Sequence, residues 1–345
     1  MKLQDGLRDK VQILVIGDVI VDKYVFGKTN RISPEAPIPI LDVLNVDSRL
    51  GGAGNVALNL KKLDRDCKVH LLGVVGNDIS GNWVKDNSQE LDISSFFIST
   101  KDMETNTKTR FIDESHLLRV DNSPVNAEYD ISESIELAFN NIKWDMVIIS
   151  DYDFGVLHKR SIDHIMSLAK CPVIVDPKYK NFWLYNNVYC LKPNRKELTQ
   201  ALYQRIGKSM VDTYDLDYSL QSLTNELIER NKADHVIVTD GSNGMLWYDR
   251  SKHTITPEYT KIDAIDVTLK DVTGAGDTVI STLGYCLAKG YSFEQSINYS
   301  NVAAAKSVTQ IGCGYVEFRD IETTEVKYNE EALEWHRREL ENIQV

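Results

Sequence analysis

Apolar residues along this chain gather in short unbroken runs separated by amphipathic stretches. "VQILVIGD", "KVHLLGVVG", "DMVIISD", "PVIVDP" and "HVIVTDG" have strand length, and most close on Asp or Gly. Between such runs, "GNVALNLKKL", "SIDHIMSLAK" and "LQSLTNELIERNK" space their apolar residues at helical intervals. Runs that are apolar on both faces, alternating with amphipathic helices, predict a mostly parallel sheet covered by helices on both sides. In such sheets ligands bind beyond the carboxyl ends of the strands, where these Asp and Gly residues fall.

Two early regions break the rhythm. "KYVFGK" with "APIPILDVLNVDSRLGG", and later "TKTRFIDESHLLRVD", alternate apolar and polar residues with no helix between. They predict antiparallel strands outside the main sheet, from about 23–48 and 105–121, forming a small β lid over the site. The apolar outer face of that lid needs a partner, which points to a homodimer through the lid. The tail "YNEEALEWHRRELENIQV", about 328–345, reads as a charged terminal helix. There is no internal repeat and no low-complexity segment.

Composition narrows the class. With 345 residues, of which 42% are hydrophobic and 26% charged, the chain suits one large α/β domain or two small ones. No run of about 18 apolar residues occurs, so no membrane span is expected. The start, "MKLQDGLRDKVQILVIGD", lacks a small-residue cleavage site and reads as the approach to a buried strand. Cys67, Cys171, Cys190, Cys286 and Cys313 form no CxxC pair and no metal-ligand spacing. Such a set favours reduced thiols in a cytoplasmic protein. A net charge of −12 argues against non-specific nucleic-acid binding, and local cations must offset it if the ligand is anionic.

The stretch "DVTGAGDTVI" carries the sharpest chemistry. Gly274, Ala275 and Gly276 offer backbone amides with little obstruction, followed by a helix whose dipole completes an anion hole. Asp277 lies at the edge of that hole, where a carboxylate can accept a hydroxyl proton while the amides hold a phosphoryl group. The plain alternative is an Asp stabilised by the dipole at a helix start. In "LGGAGNVALNL", Gly51 and Gly52 allow close backbone approach, and Asn55 can donate and accept as sugar hydroxyls require. The segment follows no clear buried strand and is not the dinucleotide G-x-G-x-x-G pattern.

In "IGDVIVDKY", Asp22 suits sugar hydroxyls, whereas Asp18 either does the same or fixes the loop. Asn194 and Glu197 in "LKPNRKELTQ" stand three apart at a helix start. They can hold a hydrated Mg²⁺, or simply form a capping box. Lys192 beside them is a candidate phosphate contact. Thr239 and Gly241 in "VTDGSNGMLWY" suit a nucleotide contact, a β-turn, or both. No Walker sequence, zinc pattern or G-x-S-x-G elbow is present.

The order "LGGAGN", "KPNRKE", "TDG", "DVTGAGDT" resembles the ribokinase-like (PfkB) carbohydrate kinases over roughly residues 11–318. "RISPEAP", "ISDYDFGVL" and "VIVDPK" bring it closest to the D-glycero-β-D-manno-heptose 7-phosphate kinase domain. The resemblance implies a three-layer α/β/α sandwich with a mostly parallel central sheet and a β-sheet lid, as a single kinase domain over 1–345. It implies ATP and Mg²⁺, and transfer of the γ-phosphoryl group to the C1 hydroxyl of heptose 7-phosphate. The product, a 1,7-bisphosphate, would feed ADP-heptose and lipopolysaccharide-type glycan synthesis.

Within that resemblance Asp277 matches the catalytic base, and Gly274, Ala275 and Gly276 the anion hole. Asn194 and Glu197 match the pair that organises Mg²⁺ through water. Thr239, Gly241 and Asn301 match nucleotide contacts; Asp22, Gly51, Gly52 and Asn55 match sugar contacts. Arg110, Arg119 and Lys178 are candidates for the substrate's own phosphate. Asp271 either orders its loop or helps hold a monovalent cation. The base is expected to have an ordinary carboxylate pKa of about 4.

One departure stands out. The heptose kinases usually read S-D-Y-x-K-G, and here Phe154 holds the Lys position, with Lys159 and Arg160 as candidate replacements. This keeps open a ribokinase-like kinase for another sugar or phosphosugar. A non-catalytic sugar or nucleotide binder on the same fold is a further alternative. Some relatives carry a fused nucleotidylyltransferase domain; none follows here, so activation of the product is expected from a separate enzyme.

Overall fold

The structure is a computed structural model that describes residues 7–123, 127–206, 224–225, 227–252, 259–310, 312 and 314–324. The tail expected at 328–345 and Cys313 lie outside the described residues.

The first apolar run forms β1, Gln12–Gly17, buried on both faces as a central strand must be. The chain then leaves the main sheet for β2 (Val19–Ile32) and β3 (Pro39–Gly52). Helix α1 (Ala53–Leu63), β4 (Lys68–Gly76), α2 (Ile79–Glu90) and β5 (Ile93–Thr100) return it. A second excursion makes β6 (Thr107–Ile112) and β7 (His116–Asn122). Thereafter come α3 (Ser132–Asn141), β8 (Met146–Ser150), α4 (Lys159–Leu168), β9 (Val173–Asp176) and β10 (Cys190–Leu191). The rest is α5 (Arg195–Ile206), β11 (His235–Thr239), β12 (Met245–Asp249), β13 (Tyr259–Ile262), α6 (Ala275–Lys289) and α7 (Phe293–Ser307).

Among the described residues the main sheet has nine strands in the order β13-β12-β11-β10-β9-β8-β1-β4-β5. All neighbours pair in parallel except β11–β12 and β12–β13. Successive residues of a strand point to opposite faces, so the sheet separates two cores. Ile13, Val15 and Ile148 pack with α1, α6 and α7 on one side. Leu14, Ile16 and Ile149 pack with α3, α4 and α5 on the other. This is the expected three-layer sandwich. From β1 the chain runs first to β4 and β5 on one side, then to β8 on the other. That reversal, between β1 and β8, is the switch point beside which open α/β sheets bind their ligands.

The lid is a four-stranded sheet ordered β3-β2-β6-β7. β2 and β6 pair in parallel, whereas an antiparallel lid was expected throughout. The reason is topological: β6 arrives from β5 across the main sheet rather than through a hairpin from β3. Gly51 and Gly52 close β3, so the glycine pair does follow a strand, one belonging to the lid.

Candidate functional site

A cleft of about 880 Å³ opens beyond the carboxyl ends of β9 to β11, with the start of α6 at its floor. Gly274 caps that helix with φ 78°, a left-handed conformation that L side chains rarely adopt. Its neighbour Ala275 spends its amide on Val272 O at 3.2 Å. The amides of Gly276 and Asp277, in the first turn, have no carbonyl inside the helix to bond and remain for an anion. The Ala275 amide is therefore not free for the anion hole expected from the sequence.

Asp277 is buried at the cleft wall, and both its oxygens are held. The Tyr152 hydroxyl donates to Oδ1 at 2.9 Å, and Asn55 Nδ2 donates to Oδ2 at 2.7 Å. Burial pushes its carboxyl up to about 6; the Asn55 and Tyr152 bonds and Lys192 pull against that, and the nearby Asp176 adds to it. The ordinary carboxylate pKa expected from the sequence is thus corrected, because the residue is taken out of water.

Buried Lys192 pairs with the partly buried Asp176 at 2.9 Å beside Gly276. A Cβ at Gly276 would sit 3.4 Å from Lys192 Nζ and 3.8 Å from Asp176 Oδ2, so the glycine leaves the pair open to the cleft. Asn194 and Glu197 make the reciprocal capping box of α5. The Glu197 amide donates to Asn194 Oδ1 at 2.8 Å, and the Asn194 amide to Glu197 Oε2 at 3.1 Å. Glu197 Oε1 also accepts from Lys178 Nζ at 2.7 Å. No group of three or more His, Cys, Asp or Glu among the described residues forms a metal cage. The oxygens of Asn194 and Glu197 in the cleft lining are hard donors of the kind that hold Mg²⁺ through water. Thr239, Gly241 and Asn301 line the cleft's far side, where Ile265, Val267 and Val308 provide an apolar wall.

The remaining candidates lie toward the lid. Asp22 and Arg110 pair at 2.5 Å, both buried. Gly51 is packed so closely that a Cβ would come within 2.1 Å of Asp22 Oδ2. Gly52 caps α1, which carries Asn55 to Asp277. Arg119 is exposed and paired with Asp121 at 2.9 Å, outside the cleft lining. Lys159 is an exposed partner of Asp163 on α4, and so does not replace the missing cation at Phe154.

Asp18 and Asp271 both hold loop backbone. Asp18 binds the loop after β8 by accepting the amides of Tyr152, Phe154 and Val156 at 2.8, 3.2 and 3.3 Å. Asp271 accepts from the Thr273 amide and hydroxyl at 2.9 and 2.7 Å and from the Gly312 amide at 2.9 Å, and so ties its turn. The sequence motif that contains Tyr152 does not assign it a role; the structure brings its hydroxyl to Asp277. The signal for Tyr152 is its place two residues beyond the end of β8 at Ser150.

The pattern of the pfkB family carbohydrate kinases matches residues 10–318. The bifunctional protein HldE of Campylobacter fetus is 35% identical over 327 residues, covering 92% of this chain and 67% of that protein. The chain thus spans about two thirds of that relative's length. Ribokinase from Thermotoga maritima superposes with a TM-score of 0.70 at 20% identity, covering 91% of this chain and 98% of that one. Phosphofructokinase-2 from Escherichia coli in complex with potassium gives 0.70 at 17% identity, covering 91% and 97%.

Proposed function

The chain belongs to the pfkB family of carbohydrate kinases, and on that premise we propose that it transfers the γ-phosphoryl group of ATP to the C1 hydroxyl of D-glycero-β-D-manno-heptose 7-phosphate. The product would be the 1,7-bisphosphate, a precursor for ADP-heptose and lipopolysaccharide-type glycans. One observation carries the reading: a buried carboxylate, Asp277, is held at both oxygens beside free helix-start amides in the wall of the cleft.

Asp277 takes the proton of the attacking hydroxyl, with Tyr152 and Asn55 orienting its carboxylate. Its raised pKa suits a base working near neutrality. The Gly276 and Asp277 amides and Lys192 hold the transferred phosphoryl oxygens, so most of the acceleration comes from positioning and charge stabilisation. Asn194 and Glu197 would hold Mg²⁺ through water, and its chemistry there is to screen phosphate charge. Thr239, Gly241 and Asn301 face the nucleoside. Asp22, Gly51, Gly52 and Asn55 frame the sugar, and Arg110 and Arg119 add positive charge on the lid. The potassium of the phosphofructokinase-2 neighbour suggests a monovalent cation near the Asp271 turn.

The lid's outer face exposes Leu44, Val46, Leu118 and Val120, which supports a homodimer built through the lid. No helix among the described residues is long and apolar enough to cross a membrane, and Cys67, Cys171, Cys190 and Cys286 are free thiols. Both features support a cytoplasmic setting. Phe154 at a usual Lys position favours a second reading, a kinase for another phosphosugar. A coupled ADP-release assay with heptose 7-phosphate, fructose phosphates and ribose side by side separates them. Fastest turnover with heptose 7-phosphate is expected; preference for a fructose phosphate selects the second reading, and no release with any sugar overturns both.

A further inference from the structure

The three cations expected to meet the acceptor's phosphate all have carboxylate partners: Arg110 has Asp22, Arg119 has Asp121 and Lys178 has Glu197. Lys180, next to the Phe154 loop, is taken by Asp153 at 2.8 Å. Lys108 is different. On β6 it stands in register between Asp22 of β2 and Asp121 of β7. Each of those acids is claimed by an arginine two pairs further along the strands. The Lys108 ammonium instead lies over two rings, 4.8 Å from the centre of Tyr152 and 5.7 Å from that of Phe154. Those rings stack on each other at 6.5 Å, and Tyr152 carries its hydroxyl to Asp277.

We propose that Lys108 reads the anionic end of the acceptor, binding a phosphate carried on the sugar away from the hydroxyl that reacts at Asp277. This rests on the sugar-kinase reading above and deepens it by naming the residue that selects for a phosphate on the acceptor. The argument is geometric. One ring separates Lys108 from the base, so a sugar spanning that ring presents its hydroxyl to Asp277 and its far end to the ammonium. Lys178 approaches the same ring at 5.6 Å from its centre, adding positive field. Burial holds the Lys108 ammonium below its ordinary pKa, with Asp22 and Asp121 opposing and Lys178 and Arg119 reinforcing that shift. A desolvated cation with no carboxylate bond gains most from an arriving dianion. Phe154 then has a role: it supplies a ring for the ammonium that β6 delivers, where a lysine in that position would repel it.

The test compares heptose 7-phosphate with the same heptose lacking its phosphate, in the wild type, Lys108→Met and Lys108→Arg. The ratio of kcat/KM for the phosphorylated over the neutral sugar should fall roughly 10- to 100-fold in Lys108→Met, mainly through KM. Lys108→Arg should restore much of it. An equal loss on both sugars, with the ratio intact, would make Lys108 a prop for Tyr152 and overturn the inference. A wild type that phosphorylates neutral sugars but no sugar phosphate overturns this inference while leaving the kinase reading standing. A wild type inactive on every sugar removes the reading beneath it as well.

Discussion

Two buried carboxyl groups flank the loop of Tyr152, and burial pushes both up to about 6. Asp18 sits behind the loop, fully buried, with three backbone amides directed at it, and does not line the cleft. Asp277 sits in front, held by two side-chain donors, and faces the cleft. Equal titration thus accompanies opposite duties. Amides of the main chain lock a backbone conformation, whereas side-chain donors orient a carboxylate and leave it open to a ligand. What distinguishes a candidate base from a structural acid here is what its oxygens touch.

The largest effect that sharpens this contrast is on turnover. Asp277→Asn should lower kcat by about 10²- to 10⁴-fold while ATP affinity, read by calorimetry, and the unfolding temperature stay close to wild type. Near-normal turnover would remove Asp277 from the chemistry. Asp18→Ala should show the converse emphasis. It leaves three amides without their acceptor, so urea unfolding should register a loss of at least about 2 kcal/mol. An unchanged midpoint would mean the loop holds itself.

The pH profile tests the front carboxylate next. A base must be ionised, so kcat/KM should decline below pH about 6, toward tenfold per unit. The Tyr152 bond stabilises the charged form of Asp277. Tyr152→Phe should therefore raise the pKa and move the acid limb to higher pH. A limb that moves lower would show that the hydroxyl serves the protonated form.

Smallest is the effect at α5, where both readings of the Asn-x-x-Glu pair make separate predictions. Glu197→Ala removes the capping box and should reduce stability by about 1 kcal/mol. If the pair also organises Mg²⁺, the variant's Mg²⁺ titration for activity should shift to higher concentration. A stability loss with an unchanged titration would leave the cap as its whole function.

Much of the main layer was legible because local pattern and burial agree there. "VQILVIGD" and "KVHLLGVVG" are apolar on both faces, and only a covered strand satisfies such a run. The N-terminus of α6 was legible because Gly274 and Gly276 flanking an alanine before a helix have few structural uses. Tyr152 and Lys108 were not legible. A tyrosine after a strand and a lysine in a β lid are ordinary residues, and their meaning comes from partners 125 residues away, as with Asp277, or from a ring on another element. The pairing of Arg110 and Arg119 with acids was equally hidden, since β2, β6 and β7 meet only after folding.

By itself the sequence determined the order of strands and helices, the sites of sharp backbone turns, and the family to which the chain belongs. These follow from nearest-neighbour sterics and from periodic burial, which act over a few residues. The tertiary structure alone decided which carboxylate is held open to the cleft, how far burial raises its pKa, and that Lys108 rests over two rings near that carboxylate. Those properties depend on solvent exclusion and on charges brought together across the whole chain, and no local pattern encodes them.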